Sequence, residues 1–435
     1  MSTDPGRGPK ASGWGVLAWV GLGIAGLVAL VLGLGLYRGS TTETSEPIGA
    51  AQSPVADASA VATKSAAPAI ASNVDAARSI ATSLVGDRIC AECHPGEAAY
   101  HSGSGHSKTL RPAALTAVAR WLHGRRINDP ENPEVTWTYA LIGDRLEVER
   151  AEGGRFHRFE LNYAIGSGEV GMTFVSTFPE SQPGRGATGV EHRTSYFSRG
   201  PTLTITPGQE EGGETDSAFD LEAPHQPRRN LGGSALDETL LDQCFTCHAT
   251  LTNGTSGTGV DLATLRPNVG CERCHGPGKA HVEAARRDAD VAELAMPHGS
   301  SGATSAALQI HLCGECHRRL DTVRPSEISP RNARIARFQP LGLQLSRCYQ
   351  DGATGLRCTS CHDPHSRVKK DLKTYESVCQ GCHNPSKQSV CPVSNGTGCV
   401  DCHMPLRNLT PEVDFHDHWI RVPDDKKSGA GKSPR

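Results

Sequence analysis

LRCTSCHDPHSRVKKDLKTYESVCQGCHNPSKQSVCPVSNGTGCVDCH, residues 356–403, writes Cys-x-x-Cys-His three times, from Cys358 to His362, Cys379 to His383 and Cys399 to His403. Four more copies lie upstream, from Cys90 to His94, Cys244 to His248, Cys271 to His275 and Cys313 to His317. The spacing has a chemical reason. Two thiols three residues apart can form thioethers to the two vinyl groups of one porphyrin, and the next residue is then held under the iron as its proximal imidazole. With 16 Cys and 19 His in 435 residues, random placement gives roughly 0.03 such motifs. Zinc knuckles share the Cys-x-x-Cys half-site, but they need four ligands and no His after every second Cys. The motifs therefore predict seven covalent haem c groups. Attachment is expected at Cys90, Cys93, Cys244, Cys247, Cys271, Cys274, Cys313, Cys316, Cys358, Cys361, Cys379, Cys382, Cys399 and Cys402, with proximal iron ligands His94, His248, His275, His317, His362, His383 and His403.

Two cysteines remain, Cys348 and Cys391, and in an oxidising compartment such a pair is expected to form a disulfide around the Cys358 and Cys379 motifs. Twelve histidines also remain, whereas methionine beyond Met1 is limited to Met172, Met296 and Met404. Most irons are accordingly expected to be bis-His, which gives lower potentials than His/Met ligation. The distal candidates are His106, His281, His365, His418, His192, His311 and His101. Gly276, Pro277 and Gly278 turn the chain ahead of His281. His365 sits too close to His362 to cap the same iron, but can reach a neighbouring one. Asp417 between His416 and His418 can orient a ligating imidazole.

The organisation follows from composition. Residues 14–37 carry no charge and would form a helix of about 36 Å, long enough to span a bilayer. Arg7 and Lys10 precede them, which directs the rest of the chain outward. The expected domains are residues 1–38 as cytoplasmic terminus and anchor, 39–84 as flexible linker, 85–125 as first haem segment, 126–235 as haem-free β-rich insert, 236–421 as six-haem domain and 422–435 as disordered tail. The insert is read from period-two alternation at Val135, Trp137 and Tyr139, and again at Leu146 and Val148, around a Gly143-Asp144 turn. The last six motifs are too closely spaced to leave room for a protein core, and only 5% of residues are aromatic, so porphyrin must supply much of the apolar interior. The expected fold class is mainly α and irregular, haem-packed, with a small antiparallel β-rich insert and one N-terminal transmembrane helix.

Formal charge is −3, and 33 of 44 basic residues are Arg. No basic block points to nucleic acid. The phrases from Asp87 to His94 with Ser104-Gly105-His106, from Cys271 to His281, from Leu356 to His365, and Cys402-His403-Met404-Pro405 resemble multihaem c-type cytochromes of the nitrifier tetrahaem and doubled-motif kind. The resemblance implies bacterial periplasmic electron transfer through closely stacked haems, with His106, His281 and His418 as distal ligands. Two functions stay open. One is an electron carrier exchanging with redox partner proteins or a membrane quinol-oxidising complex. The other is an oxidoreductase acting on a small nitrogen or sulfur compound at one open haem. No Cys-x-x-Cys-Lys variant marks a specialised haem for the second.

Overall fold

The structure, a computed structural model, describes residues 79–422 apart from 180–184, 210–217, 220–226, 229–231, 255–258, 291, 299–304, 353–354, 385–390 and 392–396. The expected membrane segment, most of the linker and nearly all of the tail lie outside the described residues.

Two short helices come first, α1 (Asp87–Cys93) and α2 (Pro95–Gly103), then strand β1 (Leu110–Pro112) and helix α3 (Ala117–Leu122). Strands β2 (Arg126–Asn128), β3 (Thr136–Ile142), β4 (Arg145–Glu152) and β5 (Arg155–Leu161) form a four-stranded antiparallel sheet in sequence order. Gly143, at φ 62°, opens the two-residue β3–β4 turn, a conformation for which glycine carries no Cβ penalty. Alternation along β4 buries Leu146 and Val148. Next come β6 (Tyr163–Ile165), β7 (Gly171–Phe178), β8 (Thr188–His192), β9 (Thr194–Phe197), β10 (Thr202–Ile205), the pair β11 (Ala218–Phe219) and β12 (Pro227–Arg228), and β13 (Gly233–Leu236). A seven-stranded sheet runs β1-β6-β7-β8-β13, with β9 on β7 and β10 on β9.

The rest of the chain carries six of the motifs on short elements. These are α4 (Glu238–His248), β14 (Ala249–Leu251), β15 (Arg266–Pro267), α5 (Cys271–His275), α6 (Lys279–Arg286), α7 (Ala306–His317), α8 (Gln339–Leu345), α9 (Arg347–Gln350), α10 (Cys358–Cys361), α11 (Leu372–Gln380), α12 (Cys399–His403), β16 (Leu406–Thr410) and β17 (Val413–His416). Side-chain caps start the longer helices. Asp237 accepts from the Leu240 N–H, Ser305 from Leu308 and Asp371 from Lys373, each cap worth about 1 kcal/mol.

Two cores lie on opposite faces of the large sheet. One packs Trp137, Tyr139, Leu146 and Phe159 of the small sheet against Ala164, Met172 and Phe174 of the large sheet, with Val118 and Leu122 of α3. The other packs Leu110, Ile165, Val175 and Phe197 against Leu241 and Phe245 of α4, joined by Val413 and Phe415 of β17. Fully burying Leu241 and Phe245 contributes about 1.5–3 kcal/mol each, which fixes the second motif to the sheet. By contrast α1, α2 and α10 bury no residue of their own.

The expected fold class is corrected in its share of β-structure. The described residues hold seventeen strands in five sheets, so β-structure is a major component rather than a small insert. Strands β14 and β15 lie between the second and third motifs and β16 and β17 follow the seventh, and at two to five residues each they are too short for alternation to reveal them. No helix among the described residues, which do not include 14–37, is long and apolar enough to cross a membrane.

Candidate functional site

Each motif is one turn of helix or its immediate end. Residues i, i+3 and i+4 share a helix face, so a helical motif can turn both thiols and the imidazole to one side. The turn is closed by the histidine N–H on the first cysteine's carbonyl, at 2.9 Å for His94, 3.0 Å for His362 and 2.7 Å for His383.

The imidazoles then meet across space in pairs. His94 faces His281 with ring centroids 6.2 Å apart, His106 faces His317 at 6.3 Å, His275 faces His365 at 6.0 Å and His362 faces His418 at 6.1 Å. An imidazole nitrogen binds a first-row metal at about 2.0–2.1 Å and the ring centre lies about 1.1 Å behind it, so two rings on opposite sides of one iron stand about 6.2–6.4 Å apart. Four gaps of 6.0–6.3 Å are therefore the width of one ligated iron. In every pair, one histidine belongs to a motif and its counterpart is supplied from beside a different motif.

Hydrogen bonds orient the rings. Nδ1 of His281 donates to the Leu294 carbonyl at 2.7 Å, that of His418 to His416 at 2.9 Å, that of His248 to Thr109 at 3.2 Å and that of His403 to Arg421 at 2.9 Å. A carbonyl only accepts, so Nδ1 carries the proton and Nε2 keeps the lone pair for a metal. Burial pushes His317 down to about 4; burial, then repulsion from His362, pushes His418 down to about 3. Both are neutral at pH 7, as ligands must be.

All seven motif histidines line one connected cavity of about 3930 Å³, against about 300–1,000 Å³ for an ordinary small-molecule site. Thirteen of the fourteen motif cysteines line it as well. Cys244 is instead buried in the sheet core, with its thiol donating to the Leu240 carbonyl at 3.0 Å. Facing imidazoles, paired thiols and continuous volume fit covalent haem c, which the motif cysteines and histidines would hold, with His106, His281, His365 and His418 placed to supply the opposite imidazoles.

The motifs touch in a definite order. Helix α1 packs on α5, α4 on α7, α7 on α10, α10 on α11 and α11 on α12. Cysteine side chains adjoin across three of these contacts, Cys90 and Cys271, Cys247 and Cys316, and Cys313 and Cys358. Arg273 ties the third motif to the fourth through Glu315 at 3.0 Å, and to the second through the Thr246 carbonyl at 3.5 Å.

Of the other distal candidates, His101 and His311 line the cavity without facing a motif imidazole among the described residues. His192 is corrected. It is fully buried between the sheets, with Nε2 2.8 Å from the Tyr139 hydroxyl, Nδ1 3.2 Å from the Gly232 carbonyl and the Trp137 ring at 5.0 Å. Both nitrogens are engaged, so it serves the sheet core and not an iron. None of the cysteines is in a disulfide in the structure, Cys348 and Cys391 included. Glu272, inside the third motif, was not legible as functional. Its buried carboxylate accepts from Val85 at 2.9 Å, Gly86 at 2.8 Å and Gly278 at 2.8 Å, while Asp87 accepts from the Cys271 N–H at 2.9 Å. These bonds clamp the first motif onto the third. The only sequence signal was an acidic residue in Cys-Glu-Arg-Cys-His, which by itself reads as a solvated side chain.

Residues 218–276, which include the second and third motifs, match the family described as cytochrome c554 and c-prime. Residues 351–388, which include the fifth and sixth, match the doubled CXXCH motif. Among solved structures, that of the outer cell wall cytochrome OcwA matches with a TM-score of 0.41 at 13% identity, over 78% of this chain and 80% of that chain. No curated protein matches the sequence.

Proposed function

We propose that this chain, which is a multihaem c-type cytochrome that binds haem covalently through its CXXCH motifs, carries seven haems and works as an electron-transfer protein outside the cytoplasm. When bound, each haem supplies a one-electron iron couple. The protein's residues set the order of the groups, hold their axial ligands and limit water. The single observation that carries the reading is the set of four imidazole pairs, each 6.0–6.3 Å apart and each bridging two motifs. Cross-motif capping locks neighbouring haems into contact, which is what fast electron hopping requires and what a set of independent sites would not need.

Helix packing, with Arg273 joining the third motif to the second and fourth, supports the order first, third, then second and fourth together, then fifth, sixth and seventh. Exposure supports two ends. Cys93 of the first motif, Cys382 of the sixth and Cys402 of the seventh are exposed, whereas the cysteines of the second to fifth motifs are buried or half-buried. An extracytoplasmic location is inferred from covalent attachment, which takes place on the outer side of the bacterial cytoplasmic membrane. The test is haem counting by mass on the mature, purified protein. Seven haem increments are expected, and five or fewer would refute the assignment.

One observation favours a second reading. Among the described residues, no histidine faces His383 or His403 at the spacing of the four pairs, so the sixth or seventh iron is the place for a substrate-accessible position. A stoichiometric high-spin ferric signal that shifts on adding nitrite or hydroxylamine would favour an oxidoreductase, and its absence would favour the carrier.

A further inference from the structure

We propose that the surface made by Lys369, Lys370 and Lys373 at the start of α11 is the docking site for an acidic, one-electron redox protein that exchanges electrons with the chain at the sixth motif. The proposal rests on the electron-transfer reading above and names its point of exchange.

Lysine is scarce here, 11 of 435 residues. Only five lysines fall among the described residues, and three of these lie between positions 369 and 373. A chain that satisfies its internal carboxylates with arginine has gathered its compact, strongly hydrated ammonium groups in one place. All three are exposed, and among the described residues none forms an ion pair. Of the nearby charges, Glu376 one turn along α11 is buried. Asp371, the one acid in the run, uses its carboxylate to accept the Lys373 N–H at 3.1 Å and cap α11, while Arg367 is paired with Glu169 at 2.9 Å. The backbone is held as well, since the Tyr375 hydroxyl donates to the Lys369 carbonyl at 3.0 Å.

The position completes the argument. Lys369 and Lys370 border the same cavity as Cys379, Cys382 and His383. Helix α11, which begins at Leu372, leads straight into that motif, and Cys382 and His383 are exposed where the interior His317 is half-buried. Unneutralised positive charge beside an exposed redox centre steers a negatively charged partner and raises its association rate by about 10- to 1,000-fold at low salt. In the exchange one electron moves between ferrous iron and the partner's oxidised centre, and no bond forms or breaks.

The test uses the full-length, haem-loaded protein, fully reduced, mixed in stopped flow with oxidised acidic plastocyanin as a probe of defined charge. The second-order rate is expected to fall about tenfold between low and physiological salt. The triple variant K369E/K370E/K373E, with an unchanged haem spectrum, is expected to lose at least tenfold at low salt, and K369Q/K370Q/K373Q to fall between it and the wild type. An equal charge reversal on the small sheet, Arg126→Glu, Arg145→Glu and Arg155→Glu, is expected to stay within about threefold. Unchanged rate and salt dependence in the lysine variants would overturn the proposal. So would loss of binding to phosphatidylglycerol vesicles with the plastocyanin rate intact, which would make the patch a lipid contact. Failure of the electron-transfer reading is separable: the reduced wild type would then be oxidised by neither plastocyanin nor neutral benzoquinone.

Discussion

Replacing Glu272 with glutamine tests whether the first motif is clamped to the third by one carboxylate. Oε1 accepts from Val85 at 2.9 Å and Gly278 at 2.8 Å, and Oε2 accepts from Gly86 at 2.8 Å. An amide can satisfy only one of these two sides, because its NH2 meets an N–H on the other. The variant therefore loses at least one charge-assisted bond and leaves a sheltered donor unmet, a combined cost of about 2–3 kcal/mol. Asp87 keeps its bond to the Cys271 N–H, so the effect should be local opening rather than loss of the fold. That cost predicts amide exchange at Val85, Gly86 and Gly278 faster by roughly 30- to 100-fold, read by hydrogen–deuterium exchange with mass spectrometry. Exchange within threefold of wild type at all three positions would refute the clamp.

Other perturbations separate haem ligands from structural histidines. His418→Ala removes the imidazole opposite His362 and is expected to convert one low-spin haem to a high-spin form that binds carbon monoxide; no new carbon monoxide band would count against the pairing. Tyr139→Phe strands the buried His192 Nε2 and Thr194 hydroxyl, which should cost about 1–3 kcal/mol in denaturant unfolding while the low-spin haem signals stay unchanged. Burial raises Glu191 from 4.5 to about 7, so the folded state holds a proton that the unfolded state gives up above pH 4.5. Its contribution to stability is full below that pH and is lost as pH rises through 7, by up to about 3 kcal/mol. Burial lowers the adjacent His192 to about 4, which gives the opposite slope between pH 4 and 6.5. The informative quantity is the difference between Glu191→Gln and wild type, in which the His192 contribution cancels: it should grow in the variant's favour from pH 4.5 to 7, and a flat difference would contradict the burial argument.

The motifs were legible because their chemistry is local: five consecutive residues specify two thioethers and one ligand. Hairpins such as β3–β4 were legible for a similar reason, since alternation and a Gly143-Asp144 turn are short-range signals. The pairing of imidazoles was not legible. His281 lies beside the third motif and faces the first, and His106 lies beside the first and faces the fourth, so tertiary packing alone decides those partners. His192 was misjudged because sequence shows a spare histidine but not the Tyr139 hydroxyl and Gly232 carbonyl that occupy it. The extent of β-structure was underestimated because β16 and β17 are short strands in a polar stretch between the seventh motif and His418.

The central claim is that the chain holds its haems in a contiguous series with at least four irons clamped by histidine on both sides. Low-temperature electron paramagnetic resonance of the oxidised, haem-loaded protein, quantified against total haem, tests it most directly. The account predicts at least four low-spin bis-histidine ferric haems of seven, with any high-spin signal confined to three or fewer. A spectrum in which four or more haems are high-spin would contradict it.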